Sequence, residues 1–273
     1  MKIALLLTGP LKTTEMLKYV HRCILMKKHE TDVFLSVDAS ASEGDDLLDP
    51  ILLEETIAFF KPVSYLVHSD FSVVHSDMES QIHPLLNKIF PIEKCRPFFQ
   101  EYYVVKQAYG LLEKHREGTG ASYDMVLRLR FDQLIWTPKT KKGLIDFIYQ
   151  KGTISFTEEN IKIVEFLTRK FEKDISVDFN CPEDGALYVF GFGDFHDYKY
   201  ANDQFFYHSL SLAKIIPLFY DELPELINDN LIRFPDKGCM TEFFFYTFLE
   251  KHQIVLKKTH IEGVTVEKQS IQV

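Results

Sequence analysis

A chain of 273 residues with 46% hydrophobic and 26% charged residues is long enough for one large globular domain, and its 12 Gly and 11 Pro are too few for a disordered or fibrous chain. A formal charge of −9, with no long basic run, removes the usual electrostatic source of nucleic-acid binding. The first apolar run, Ile3 to Leu7, is far too short for a membrane span and lacks a small-residue cleavage pattern; four widely spaced cysteines without a C-x-x-C pair suggest neither a zinc site nor a disulfide framework, and with them a reducing, cytoplasmic compartment.

In chain order, Ile3 to Thr8 reads as a buried strand closed by Thr8-Gly9-Pro10. Met16, Leu17, Val20, Ile24 and Leu25 then recur at helical spacing. Asp32 to Asp38 gives a second buried strand. Asp49-Pro50 has the form of an N-cap followed by proline in the first turn of a helix reaching about Phe60, and Val63 to His68 is a third strand. Ser69 to Ser80 reads as a flexible loop. From Phe98 to His115 the positions Phe99, Tyr102, Val105, Ala108, Tyr109 and Leu112 line one helix face, and the Gly118-Thr119-Gly120 turn delivers the strand Tyr123 to Asp132. Gly143 to Gln150 and Asn160 to Phe171 have helical periodicity, with a short strand at Thr153 to Phe156 between them. Gly185 to Phe190 is a strand, and Gly191 to Tyr200 is an aromatic, glycine-containing loop. Asn202 to Tyr220 reads as a helix broken or kinked near Pro217, Met240 to Lys251 as another helix, and Ile254 to Leu256 as a closing strand. With 24 Phe and 13 Tyr, the core should be rich in aromatic rings.

Strands alternating with helices, each strand a continuous apolar run, predict an α/β fold with a mostly parallel sheet flanked by helices. No linker divides residues 1–273, which read as a single domain. Sites in such sheets lie beyond the carboxyl ends of the strands, which gathers Thr8, Gly9, Asp38, Arg130 and Asp132 toward one crevice.

Arg128, Arg130 and Asp132 alternate at the end of a strand, so their side chains share one face. A buried guanidinium without a partner costs several kcal/mol. Two readings therefore stand: an ion pair closing a strand end, or cationic forks and a hard oxygen ligand suited to a phosphate and its divalent metal. Thr8 to Lys12 offers backbone N–H groups ahead of a helix N-terminus, a natural anion seat, but it is not a dinucleotide fingerprint. Gly191-Phe192-Gly193 lacks the third glycine, and no G-x-x-x-x-G-K-[ST], H-E-x-x-H or G-x-S-x-G string occurs. Among the ten histidines, His196 and His208 read as surface or satisfied core residues, whereas His260 lies in a tail that a fold-back would bring to a metal. Asn202-Asp203-Gln204 and Glu242 stand at expected helix starts, where capping and catalysis both call for acids and amides.

The string Tyr123-Asp124-(three apolar)-Arg128-Leu129-Arg130-Phe131-Asp132 resembles the Tyr-Asp…Arg-x-Arg-x-Asp signature of GT-A-like glycosyltransferase domains found in polysaccharide-synthesis systems and large DNA viruses. The opening strand with its Thr-Gly turn, the helix segment Gln100 to Tyr109 and Asn202-Asp203-Gln204-Phe205-Phe206 agree in order, over roughly residues 1–256. The resemblance implies a GT-A-like, Rossmann-type mostly parallel sheet flanked by helices, with a nucleotide-diphosphate sugar as donor and a glycan or other hydroxyl acceptor. It assigns the nucleotide to residues 1–135 and the sugar and acceptor to residues 136–273. Thr8, Gly9, Lys12, Asp38, Arg128 and Arg130 would then hold the donor, and Asp132, with His260, would hold Mn²⁺ or Mg²⁺. Asp203 and Glu242 would be the catalytic carboxylates. Two positions depart from the pattern: Arg130 stands where the first acid of a D-x-D motif would be, and Lys12 where relatives often have arginine. The rival expectations are a sugar nucleotidyltransferase and a metal-independent scaffold that binds a glycan or nucleotide sugar without catalysis.

Overall fold

A computed structural model describes residues 1–11, 29–40, 49–84, 91–131, 133–136, 181–195, 198–233, 241–259 and 262–265. Eleven strands are described: β1 (Lys2–Pro10), β2 (Glu30–Asp38), β3 (Ser64–His68), β4 (Met125–Arg130), β5 (Gln133–Trp136), β6 (Ala186–Val189), β7 (Phe192–Phe195), β8 (Tyr198–Ala201), β9 (Phe206–His208), β10 (Val255–Lys258) and β11 (Glu262–Thr265). The described helices are α1 (Pro50–Phe60), α2 (Ser72–Ser80), α3 (Arg96–Thr119), α4 (Leu218–Arg233) and α5 (Thr241–Lys251).

Seven strands form one sheet in the order β10-β6-β9-β4-β1-β2-β3. Only β9 runs antiparallel to its neighbours; the other described pairs in this sheet are parallel. The fold is thus the expected α/β arrangement with a mostly parallel sheet. Its centre follows from composition: Ile3 to Leu7 and Phe34 to Leu35 are essentially unexposed, and only apolar runs survive burial on both faces. α3 lies across β1 and β2 and presents Phe99, Tyr102, Val105, Ala108, Tyr109 and Leu112, all buried, as its spacing predicts. It stops at Gly120, whose φ of 71° is open to glycine at no steric cost. Phe219 of α4 packs edge-on against Tyr102 at 4.4 Å and lies 5.2 Å from both Phe245 and Phe248 of α5, so the core is aromatic as composition predicts.

Four local expectations are corrected. Ser69 to Ser80 is not a loop: α2 occupies most of it, because Val74 and Met78, four apart, bury one face within a polar sequence. Gly191 to Tyr200 holds the antiparallel pair β7-β8. The segment expected as a helix over Asn202 to Tyr220 instead supplies β9, then a 3-10 turn at Leu210–Lys214, and α4 starts only after Pro217. Its aromatic run, Phe206-Tyr207-His208, fills the slot between β4 and β6, where pairing on both edges outweighs local helical spacing. Pro217 immediately precedes α4, where its missing N–H costs no helical bond, and a second proline, Pro224, is carried inside the helix. Finally, Cys95 is disulfide-bonded, against the expectation drawn from cysteine spacing, while Cys181 is free and exposed. Gly143 to Gln150, Thr153 to Phe156, Asn160 to Phe171 and the stretch from Met16 to Leu25 lie outside the described residues.

Candidate functional site

The parallel register aligns three strand ends. Thr8 pairs with Ser36 on one side and Arg130 on the other, and Pro10 pairs with Asp38. Gly9 sits between them with φ 103°, a conformation in which a side chain would be strained. The turn expected at Thr8-Gly9-Pro10 is instead the last part of β1, in register with Ser36 to Asp38, and Gly9 presents backbone rather than a side chain near the strand end.

Among the described residues Arg128 is the largest fully buried side chain, with 0% exposure, and each arm of its fork is engaged. Nε donates to Thr8 Oγ1 at 3.1 Å, Nη1 to the backbone carbonyl of Asp203, and Nη2 to Glu101 Oε1 at 2.9 Å. One side chain thus ties β4 to β1, to α3 and to the segment entering β9. Arg130 donates Nη1 to the same Glu101 oxygen at 3.2 Å and keeps 18% of its side chain exposed. Burial alone would raise the Glu101 carboxyl; the charges of Arg130 and Arg128 outweigh it and hold Glu101 below the usual carboxylate range. Two guanidinium cations thus share the Glu101 carboxylate.

Asp203 is 3% exposed and accepts a hydrogen bond at Oδ2 from the Tyr102 hydroxyl. Its carboxyl is pushed up to about 7, first by burial and then by the negative charges of Glu101 and Glu242, against the opposing Tyr102 hydrogen bond and Arg128 charge. Burial also raises the Tyr102 hydroxyl well above its ordinary range, so Tyr102 remains a donor. Glu242 lies in the first turn of α5, 3.4 Å from the Thr241 hydroxyl, and is partly exposed. Asp38 turns toward its own loop, accepting from Ser40 N at 2.8 Å and Ser40 Oγ at 2.6 Å. Beside it, Ser36 Oγ lies 3.1 Å from His68 Nε2, and burial lowers the His68 imidazole.

Of the residues singled out in the sequence, the structure gathers Thr8, Gly9, Arg128, Arg130 and Asp203 around the carboxyl ends of β1 and β4, with Asp38 next in register and Glu242 close enough to act on Asp203. Lys12, Asp132 and His260 lie outside the described residues. After His260 the chain forms β11, which pairs antiparallel with β5 as a separate two-stranded sheet, Thr265 lying opposite Gln133 and Glu262 opposite Trp136. Among the described residues no three His, Cys, Asp or Glu side chains are grouped to hold a metal ion. His208 is a satisfied core histidine: the Tyr109 hydroxyl donates to Nε2 at 2.6 Å, Nδ1–H donates to the Ser209 carbonyl at 2.6 Å, and burial pushes the ring down to about 4. Sequence reasoning missed Glu101 and Tyr102 as site residues. Their signal was an acid adjoining a buried-face tyrosine on the helix before the Arg-x-Arg strand, which periodicity reads only as a helix turn.

No protein-family model and no curated protein matches this chain. Solved structures similar to it include mouse xyloside xylosyltransferase 1 in its apo form, with a TM-score of 0.42, 10% identity, and coverage of 95% of this chain and 85% of that one. Another is a glycosyltransferase involved in glycosylation of the major capsid of PBCV-1, with a TM-score of 0.33, 10% identity, and coverage of 94% and 81%. Both are glycosyltransferases. Similarity this distant carries no argument about activity, which has to come from the crevice itself. No helix among the described residues is long and apolar enough to cross a membrane.

Proposed function

We propose that this protein is a glycosyltransferase moving a sugar from a nucleotide-diphosphate donor to a glycan or other hydroxyl acceptor, with residues 1–135 binding nucleotide and residues 136–273 forming the sugar and acceptor half. The observation that carries the reading is the Arg128–Glu101–Arg130 cluster at the strand ends, which sets the partly exposed Arg130 fork beside the positive-φ Gly9 and a carboxyl tuned to near neutrality. A fork and backbone amides suit a diphosphate; a carboxyl near 7 suits proton removal from a hydroxyl.

In this reading Arg130, with Lys12 and the Thr8-Gly9 backbone, grips the donor diphosphate. Arg128, wholly buried, positions the others instead of touching ligand. Asp38 holds its loop at the nucleotide side. A hydroxyl oxygen of the acceptor attacks the anomeric carbon, the bond from that carbon to the diphosphate oxygen breaks, and the nucleoside diphosphate leaves with the bonding electrons. The hydroxyl proton passes to a carboxylate. Asp203 has the tuned protonation and Glu242 the better access, so these two share the acid-base assignment. Mn²⁺ or Mg²⁺ held by Asp132 and His260 would offset charge on the leaving diphosphate.

Titration calorimetry with UDP and GDP, with and without Mn²⁺, tests the donor site, and a screen of nucleotide sugars for release of the nucleoside diphosphate tests transfer. Binding of either nucleotide that is lost in Arg130→Ala is the expected result. A folded protein that binds neither is a scaffold, and the proposal fails.

A further inference from the structure

Asp203 is held from one helix by two routes. Adjacent residues of a helix point about 100° apart, so Glu101 and Tyr102 of α3 reach it differently. Tyr102 reaches it directly: its hydroxyl donates to Oδ2, and its ring, edge-on to Phe219 at 4.4 Å and 6.4 Å from Phe245, is fixed by packing. Glu101 reaches it through Arg128. Its Oε1 accepts from Arg128 Nη2 at 2.9 Å, and Nη1 of the same guanidinium donates to the Asp203 carbonyl. That guanidinium also lies 5.7 Å from the centre of the Phe206 ring, in the strand that Asp203 leads into. The carboxyl and the main chain of Asp203 are therefore both anchored, and Oδ1 is the carboxyl oxygen with no hydrogen-bond partner among the described residues.

We propose that Glu101 and Tyr102 are the positioning residues of Asp203, a clamp that commits Oδ2 to the Tyr102 hydroxyl and leaves Oδ1 to exchange a proton. The inference deepens the glycosyl-transfer reading and rests on it for one step alone, in which Oδ1 takes the proton that the acceptor hydroxyl loses. Neither positioning residue touches ligand in that step. They act on the carboxyl in opposite senses. The groups that bear on it are Glu101 and Tyr102 from α3, Arg128 from β4 and Glu242 from α5. Burial raises the Asp203 carboxyl most, and the negative charges of Glu101 and Glu242 raise it further, whereas the Tyr102 hydrogen bond and the Arg128 cation lower it. The clamp thus sets a hydrogen bond that favours the carboxylate against a charge that favours the acid, the balance a group needs to take up and release a proton near neutral pH. A side chain that only filled space beside Asp203 would contribute to neither.

NMR of the whole, ligand-free chain, isotope-labelled at the aspartate side-chain carboxyls, reads the titration of Asp203, with Asp203→Asn identifying its signal. Tyr102→Phe keeps the ring and removes only the hydroxyl, so the Asp203 midpoint should move to higher pH, by about 1 on the pH scale. Glu101→Gln keeps the shape and removes the charge, so the midpoint should move to lower pH. Opposite shifts from neighbouring residues are not what a general loosening of the fold produces, and unfolding temperatures confirm that each variant is folded. If Glu101→Gln does not fold, Tyr102→Phe decides. In a transfer assay the rise of kcat with pH should follow the same midpoints, and at pH 7 kcat should fall by about fivefold or more in Tyr102→Phe with KM for the nucleotide sugar nearly unchanged. Shifts of the Asp203 signal without turnover of any nucleotide sugar retire the transfer reading and keep the clamp. A midpoint that stays in place or falls in Tyr102→Phe, or that rises in a folded Glu101→Gln, overturns the clamp whatever the activity.

Discussion

Arg128 and Arg130 are the same residue type two positions apart on one strand, and burial divides their work. Arg128 has no solvent to replace a lost partner, so Arg128→Met, which orphans Thr8 Oγ1 and the Asp203 carbonyl, should cost on the order of 3 kcal/mol of stability. Arg130→Met, at a side chain 18% exposed, should cost about 1 kcal/mol or less yet weaken UDP or GDP binding at least tenfold. Urea midpoints and calorimetry on the two variants separate these effects, and equal stability losses would mean that the two residues do one job. Asp203 makes a pH prediction. Its folded carboxyl titrates near 7, well above the value of about 3.8 expected unfolded, so its contribution is fully present below the lower value and is lost as pH rises through 7. Asp203→Asn should therefore gain stability relative to the wild type between pH 4 and 7, ending level above that window. Thermal melts across this range read the difference directly; a flat difference would mean that Asp203 is ionised throughout. If Asp203 is the base, the same substitution removes the rise of transfer activity through neutral pH.

At the scale of elements, the segments whose chemistry is local came out of the sequence. Asp49 was legible as a helix start because capping needs only a side-chain oxygen two residues before an N–H, and Oδ1 accepts from Ile51 N at 2.9 Å. Asp49→Ala should cost about 1 kcal/mol in a denaturation series and leave nucleotide binding unchanged, since α1 carries no site residue. A larger loss would mean that the cap also holds the loop before it. The segment entering β9 was not legible, because Phe205, Phe206 and Leu210 have spacing that suits a helix face. Their strand conformation depends on β4 and β6 lying on either side, two elements that are distant in sequence.

For the whole molecule, the disulfide at Cys95 is a constraint on the unfolded chain. Cys95 is fully buried at the head of α3, the helix that carries both Glu101 and Tyr102. Reduction should lower the unfolding temperature by on the order of 5–10 °C, checked by scanning fluorimetry with and without a thiol reductant. Because α3 positions the site, nucleotide affinity should fall in the same sample. An unchanged melting temperature would show that the bridge contributes nothing to the fold.

The sequence by itself determined the α/β class, the central strands and the face of α3, because continuous apolar runs and 3.6-residue spacing are local consequences of burial. It also put Arg128 and Arg130 on one face of a strand end, since strand period follows from backbone geometry alone. Only the tertiary structure decided which of the two is buried, that both share Glu101, and that Asp203 lies under Tyr102 with its carboxyl near neutrality. Those properties depend on the distance between side chains about 27 to 120 residues apart and on the water excluded between them, neither of which is written in spacing along the chain.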